Sequence, residues 1–463
     1  MSRLKLSLGI KRFLLKTVLD RKKIYKDFVL NSGGTITAQG INVGFIYITS
    51  QLYDAQAFGA YAVWLSFITL FVLFFNLKLE LAFVTAETEE DSKEIIKTIF
   101  SLSLISTLLL LLFYFSGRAL ALINITYPIF FLLLFCVLFL NLKTLGDYLL
   151  TRLGDFKVFS LLLVFNAMLL GTAQIVFFYL TSGKSSGLLL GYLVSLLITG
   201  GIYFRLMKQK KLLPSFVSIF DFRSAVTKLK EKRDTTIWRS SDSVVEVLYT
   251  NGIYLVLNSF VSQGQLGQFN LAHRISSLPI GLFSSAANVF FHHGAKDDLS
   301  SIQGFIYKFA IGIITISALA TAILLYYGEI LISFFFGEQW SATGNILGFV
   351  VIGQSILYLS SSFTRFPDIL GIQKKMFYVQ FGCSVFMITG LLLLAYWEIN
   401  FISIVLFYSL TIAIYNGLWL LILFANSELS ASRMFLILLL YPVLVSIFCT
   451  VFSVLVNSEF YCS

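Results

Sequence analysis

Apolar residues run through this chain in continuous stretches rather than in alternation. Each stretch is about as long as a helix needs to cross a bilayer, roughly 20 residues at 1.5 Å rise. On that rule spans fall near 28–51, 57–79, 95–116, 124–150, 157–181 and 186–206. A polar, basic stretch follows to about Arg239. Spans resume near 237–260, 266–292, 303–327, 342–366, 375–397, 401–424 and 434–457. The expected fold is an all-α polytopic membrane protein of about 13 spans. The segments are a basic N-terminal stretch (1–27), a six-helix bundle (28–206), a basic linker (207–236), a second six-helix bundle (237–424) and one or two extra C-terminal helices (425–463). A transmembrane barrel is excluded, because its strands are short and alternate apolar with polar.

Composition strengthens the membrane reading. Of 463 residues 57% are hydrophobic and only 13% charged, whereas a soluble domain is nearer half apolar and a quarter charged. The net charge of +10 raises the question of nucleic acid. Its placement excludes that partner. Most Lys and Arg fall in two blocks, Arg3 to Lys26 and Arg205 to Arg239, which flank spans as cytoplasmic charge does. With the N-terminus cytoplasmic, Lys93, Arg152, Lys296, Lys374, Lys375 and Arg433 also lie inside, and the outer loops keep only Arg118 and Lys184. Thirteen spans place the C-terminus outside; twelve or fourteen place it inside. Leu4, Leu8, Leu15 and Leu19 amid Lys11, Arg12 and Lys16 suit an interfacial amphipathic helix rather than a cleaved signal peptide.

Two stretches about 208 residues apart share a pattern. Leu52-Tyr-Asp-Ala-Gln-Ala-Phe-Gly59-Ala-Tyr61 parallels Phe260-Val-Ser-Gln-Gly-Gln-Leu-Gly267-Gln-Phe269. Phe83 and the acidic residues Glu87 to Asp91 parallel Phe291 with Asp297 and Asp298, and Leu153-Gly154 with Lys157 parallels Leu370-Gly371 with Lys374. Six spans, an even number, separate the copies, so both enter the membrane the same way. That implies a parallel pseudo-two-fold repeat about the membrane normal, with alternating access between the bundles.

Enzymatic classes find no support. The chain has no Gly-rich phosphate loop, no metal-spaced His/Cys/carboxylate cluster and no long outer loop. Cys136, Cys383, Cys449 and Cys462 imply no disulfide framework, and His273, His292 and His293 no metal site. No cofactor is expected.

Ionisable residues inside spans are costly and therefore functional candidates. Arg274 lies about 10 Å into the eighth span and suits phosphate oxygens; a structural ion pair is the alternative. Glu246 and Asp242, one turn apart, suit an ion-coupling relay, with a pair to Arg274 as the alternative. Lys78 and Arg365, near cytoplasmic span ends, and Arg239 are further substrate-binding candidates. Snorkelling, with Glu80 and Asp368 as local partners, is the alternative for Lys78 and Arg365. Pro279 is expected to kink the eighth span.

The segment Gly267-Gln-Phe-Asn-Leu-Ala-His-Arg-Ile-Ser-Ser-Leu-Pro279, followed by Ser284-Ser-Ala-Ala-Asn-Val-Phe-Phe291, resembles a recurrent signature of the Wzx-type polysaccharide flippases. These belong to the multidrug/oligosaccharidyl-lipid/polysaccharide exporter superfamily. Ser32-Gly-Gly-Thr-Ile-Thr-Ala-Gln39, Phe58-Gly-Ala-Tyr61 and Phe335-Phe-Gly-Glu-Gln-Trp340 are also similar to that family. His273 departs from it, standing where Tyr is frequent. The resemblance implies transport of undecaprenyl-diphosphate-linked oligosaccharide across the bacterial inner membrane. It also implies a central cationic cavity, onto which Arg274 maps. Membrane lipids, a glycan polymerase and glycosyltransferases are the implied partners. A drug or metabolite antiporter of the same superfamily is the main alternative, and a polysaccharide polymerase a weaker one. The charge placement makes one expectation directly testable. A fluorescent-protein fusion within 207–236 should light up and an alkaline phosphatase fusion after Gly183 should be active; the opposite pattern overturns the orientation.

Overall fold

In the computed structural model, residues 33–460 are described apart from 87, 121–124, 232, 282, 284–298, 365 and 428. The described residues form helices and turns, with no strand. The first half contributes α1 (33–52), α2 (Ala55–Asn76), α3 (Leu79–Thr85), α4 (Glu89–Ala119), α5 (Tyr127–Leu153), α6 (Phe156–Thr181) and α7 (Ser185–Gln209). Two short helices, α8 (Phe216–Ile219) and α9 (Phe222–Glu231), occupy the basic stretch. The second half contributes α10 (Arg233–Leu257), α11 (Gln263–Ser277), α12 (Leu299–Phe336), α13 (Ser341–Ser361), α14 (Phe366–Leu370), α15 (Gln373–Tyr396), α16 (Phe401–Ala425) and α17 (Ala431–Phe460).

Among the described residues, 10 helices are long and apolar enough to cross a membrane by length and composition. Helices also stand at the three remaining expected spans. α1 begins where the description begins. α10 carries Arg239, Asp242 and Glu246, and its residues Ser243–Leu257 form a shorter apolar helix. α11 stops at Ser277, two residues before Pro279, whose ring cannot continue the helix. Large apolar side chains such as Phe334 and Leu112 are left facing outward, which lipid tolerates and water does not.

The sequence repeat becomes a physical contact. α2 and α11 cross so closely that a Cβ at Gly59 would clash with the Gln263 carbonyl oxygen, and one at Gly267 with the Ala55 carbonyl oxygen. Gly59 and Gly267 are repeat equivalents, and so are Ala55 and Gln263. Each half therefore offers the other the same glycine against the same carbonyl, as a two-fold contact requires. The starts of the two helices match as well. Asp54 caps α2 by accepting from the Ala57 N–H at 2.8 Å, and Ser262, its equivalent, caps α11 by accepting from the Gln265 N–H at 3.2 Å. The third match holds too: Gly154 and Gly371 both take left-handed conformations, with φ of 67° and 65°, which only glycine adopts freely.

A second seam closes beside the first. The Trp340 indole and the Gln339 amide both donate to the Ser50 carbonyl, at 2.8 and 3.0 Å, and the Gln51 amide donates to the Phe336 carbonyl at 2.9 Å. Trp340 is fully buried and meets Phe58 edge to face at 5.2 Å. At the far end of α2 the Ser240 hydroxyl of α10 donates to the Leu77 carbonyl at 2.6 Å.

The basic stretch is more than an open linker. The Lys228 ammonium of α9 is buried against Asp91 and Glu94 of α4 and against Glu231. Burial pulls its pKa down, but the hydrogen bonds to Asp91 and Glu231 outweigh that and raise it above the usual lysine range. Lys97 of α4 donates to Asp221 at 2.9 Å and holds that carboxyl below its usual range. In the second half α12 and α13 cross at Gly328 and Gly344, and α17 is fixed to α12 by the Thr321–Tyr441 hydroxyl pair at 2.8 Å.

The α2–α11 crossing gives a clear expectation for stability. Gly267→Ala puts a methyl group against backbone that cannot step aside, and should cost about 1–3 kcal/mol, read as a lowered melting point of the purified protein. Gly264→Ala, whose nearest outside atom is the Ser262 hydroxyl at 3.9 Å, should be neutral or slightly stabilising. Equal behaviour of the two variants would mean that the close approach is not what holds the halves together.

Candidate functional site at the junction of the halves

Arg274 sits where the halves meet. The capping box at Ser262 and Gln265 starts α11 earlier than the apolar run suggests. Arg274 consequently stands about 16 Å along the helix from its first residue. Its guanidinium reaches across to α2, 5.9 Å from the ring centres of both Phe58 and Tyr61. Cation–π attraction at such range helps to hold it. One terminal nitrogen, Nη1, is nevertheless buried with no hydrogen-bond partner among the described residues. No carboxylate lies within ion-pair distance of it among those residues either. Arg152 shows the contrast: its guanidinium is spent on the carbonyls of Phe83, Val84 and Ala86 at 2.7–3.1 Å. Arg274 keeps donor capacity free in a place where an unsatisfied donor is costly.

The structure does not gather the other candidates around Arg274. Lys78 lies in the turn between α2 and α3, half-buried, in a left-handed conformation with φ of 56°. Its backbone N–H is held by the Asn76 side chain at 3.2 Å. Two residues on, Glu80 is fully buried, one carboxyl oxygen has no hydrogen-bond partner among the described residues, and the Lys78 charge acts on it. Arg365 lies outside the described residues. Arg239 and Asp242 belong to α10, but their side chains are outside the description, as is that of Asp368.

Glu246 is exposed on α10 and lines a different space from Arg274. That space is a cavity of about 600 Å³ among α10, α11, α13, α15 and α16. α11 divides the two: its His273 lines the cavity, while the next residue, Arg274, faces α2. Successive residues on an α-helix point about 100° apart, so one helix serves both sides.

Two further features of the structure were not among the sequence-based candidates. Lys143 and Asp147 form an ion pair at 2.7 Å one turn apart within α5, and the Tyr203 hydroxyl donates to the same carboxylate. Their spacing inside an apolar run was the available signal. The cavity left no signal, because its amides and aromatic rings come from separate helices and look individually like ordinary packing.

Comparisons with known proteins identify the family and the fold. A family model described as polysaccharide biosynthesis protein matches residues 50–345, a stretch that holds both copies of the glycine motif and Arg274. No curated protein matches the sequence. Among solved structures, the lipid II flippase MurJ in an inward closed conformation aligns with a TM-score of 0.55 at 15% identity, covering 96% of this chain and 100% of that one. An inward-facing multidrug resistance MATE transporter of the MOP superfamily aligns at 0.53 and 13% identity, covering 86% and 98%. A eukaryotic MATE transporter aligns at 0.56 and 15% identity, covering 89% and 97%. The multi-pass helical fold shared with these transporters, and a family match spanning more than half of the sequence, place this chain in the polysaccharide biosynthesis protein family.

Proposed function

We propose that this protein is a Wzx-type flippase. It carries undecaprenyl-diphosphate-linked oligosaccharide repeat units from the cytoplasmic to the outer leaflet of the bacterial inner membrane by alternating access. The observation that carries this reading is the free guanidinium nitrogen of Arg274 at the junction of two equivalent halves. A diphosphate offers acceptor oxygens of the geometry that a guanidinium fork suits. The polyprenyl tail stays in lipid while the polar head crosses. The barrier is desolvation of phosphates and sugars, which a fixed cation in a polar passage lowers. Lys78, Arg365 and Arg239 fall on the cytoplasmic side in the charge-derived orientation, where an incoming diphosphate meets cations first. The product serves a glycan polymerase, and upstream glycosyltransferases supply the substrate. The chain performs no bond chemistry in this scheme. An ion-coupled antiporter is the second reading; Glu246, a carboxylate at an aromatic cavity, is the observation that favours it.

Deleting the gene should leave the lipid-linked repeat on the cytoplasmic leaflet and remove surface glycan. Normal surface glycan with heightened sensitivity to toxic organic cations would instead establish the antiporter. In the deletion strain, Arg274→Ala should restore at least tenfold less surface glycan than wild type at equal membrane abundance. Arg274→Lys, which keeps the charge but loses the fork, should fall between them. Full restoration by Arg274→Ala would remove this residue from the site. Glu246→Gln, with Asp242 left intact, should make transport in proteoliposomes insensitive to an imposed proton or sodium gradient at equal reconstituted protein. Retained gradient dependence would exclude Glu246 as the coupling group.

A further inference from the structure

The second-half cavity has a chemistry unlike that of Arg274. The residues lining it include four aromatic side chains of α10 and α16, Tyr249, Tyr408, Tyr415 and Trp419. They also include the amides Gln354, Gln373, Gln380 and Asn416 and the hydroxyls Ser360 and Ser361. Among the described lining residues there is no Lys or Arg, and Glu246 is the one carboxylate. A phosphate would meet no cation among those residues. Its volume of about 600 Å³ lies within the roughly 300–1,000 Å³ of small-molecule sites.

Two polar atoms of the lining are buried and unpartnered among the described residues. They are Oε1 of Gln354 on α13 and the hydroxyl of Tyr408 on α16, and both side chains are 1% exposed. An acceptor and a hydroxyl left open in an apolar surround each cost about 1–3 kcal/mol. Their neighbours are already committed. Asn416 accepts from Ser360 at 2.5 Å and donates to the Ile412 carbonyl at 2.9 Å. Tyr249 and Tyr415 brace each other edge to face at 4.9 Å. The cavity thus has a fixed aromatic wall and a small number of open hydrogen-bonding atoms.

We infer that this cavity is a binding pocket for uncharged sugar residues. A pyranose ring has an apolar C–H face that suits an aromatic platform. Its hydroxyl edge both donates and accepts, matching amide and phenol groups. An organic cation would use the rings and Glu246 but leave Gln354 and Tyr408 open. The inference deepens the flippase reading and rests on it for the source of the sugar. α11 then separates two recognition tasks: Arg274 on one face takes the diphosphate, and the cavity behind His273 takes part of the glycan. Most of the lining lies beyond residue 345, outside the region that the family model matches.

The test uses purified full-length protein in nanodiscs and three probes. These are the repeat-unit oligosaccharide of the host's own surface glycan freed from its lipid by mild acid, inorganic pyrophosphate, and tetraphenylphosphonium. The oligosaccharide should bind saturably. Gln354→Leu and Trp419→Ala should each weaken it about tenfold or more, and Trp419→Phe should recover most of the loss. Arg274→Ala should abolish pyrophosphate binding and change oligosaccharide binding by no more than about twofold. Oligosaccharide binding that both pocket variants leave intact overturns the inference, and so does the absence of saturable binding, which would mean that water fills the cavity. Tetraphenylphosphonium binding that Trp419→Ala removes, without oligosaccharide binding, also overturns it in favour of a cation site. Pyrophosphate bound through Arg274 without oligosaccharide binding removes the pocket and leaves the flippase reading. Oligosaccharide bound in the cavity of a protein whose deletion leaves surface glycan normal removes the flippase reading and leaves the pocket.

Discussion

The two halves meet where neither has a side chain. In a bilayer no hydrophobic force drives one apolar helix against another, since lipid tails are as apolar as leucine. Close packing and interhelical hydrogen bonds must supply the association instead. Gly59 and Gly267 let α2 and α11 approach backbone to backbone, each glycine beneath a carbonyl of the other helix. The short separation brings Phe58 against Trp340, and Trp340 to the Ser50 carbonyl. The junction is therefore a set of shape contacts and a few hydrogen bonds, without an ion pair among its described residues.

Arg274 takes its meaning from that junction. The same early start that seats Gly267 on α2 also carries the guanidinium deep along α11, over the rings of Phe58 and Tyr61. A cation held by rings rather than by a carboxylate stays available to an anion. The cavity on the other side of α11 has the opposite character, aromatic and amide-lined, with one carboxylate and no cation among its described lining residues. One helix thus separates a guanidinium held over aromatic rings from an aromatic, amide-lined space.

The stretch between the halves belongs mechanically to the first. Lys228 sits in a carboxylate cluster shared with α4, Lys97 binds Asp221, and the Ser101 hydroxyl donates to the Ile219 carbonyl at 2.6 Å. The chain accordingly reaches α10 from a point fixed on the first half. Much of its basic charge remains exposed, but Lys228 is structural, as is Lys97 of α4.

The sequence by itself determined the solvent, the helices and the symmetry. Unbroken apolar runs of spanning length leave a helix as the one way to satisfy every backbone group in hydrocarbon, so the described part of each expected span holds a helix. The repeat was legible because glycine and its flanking cap residues are demanded by backbone geometry, and backbone geometry leaves local traces: Gly59 with Asp54, Gly267 with Ser262, Gly154 with Gly371. What only the tertiary structure decided is which side chains meet. The partners of Arg274 are rings 213 and 216 positions away in the chain. The alternative pairing with Glu246 is not made, because α11 stands between them. The cavity gathers one or two residues from each of several helices, and a single glutamine or tyrosine in an apolar run reads the same whether it faces lipid, packing or a void. Span and symmetry are properties of local backbone chemistry; a binding site is a property of distance in space, which periodicity along one helix does not encode.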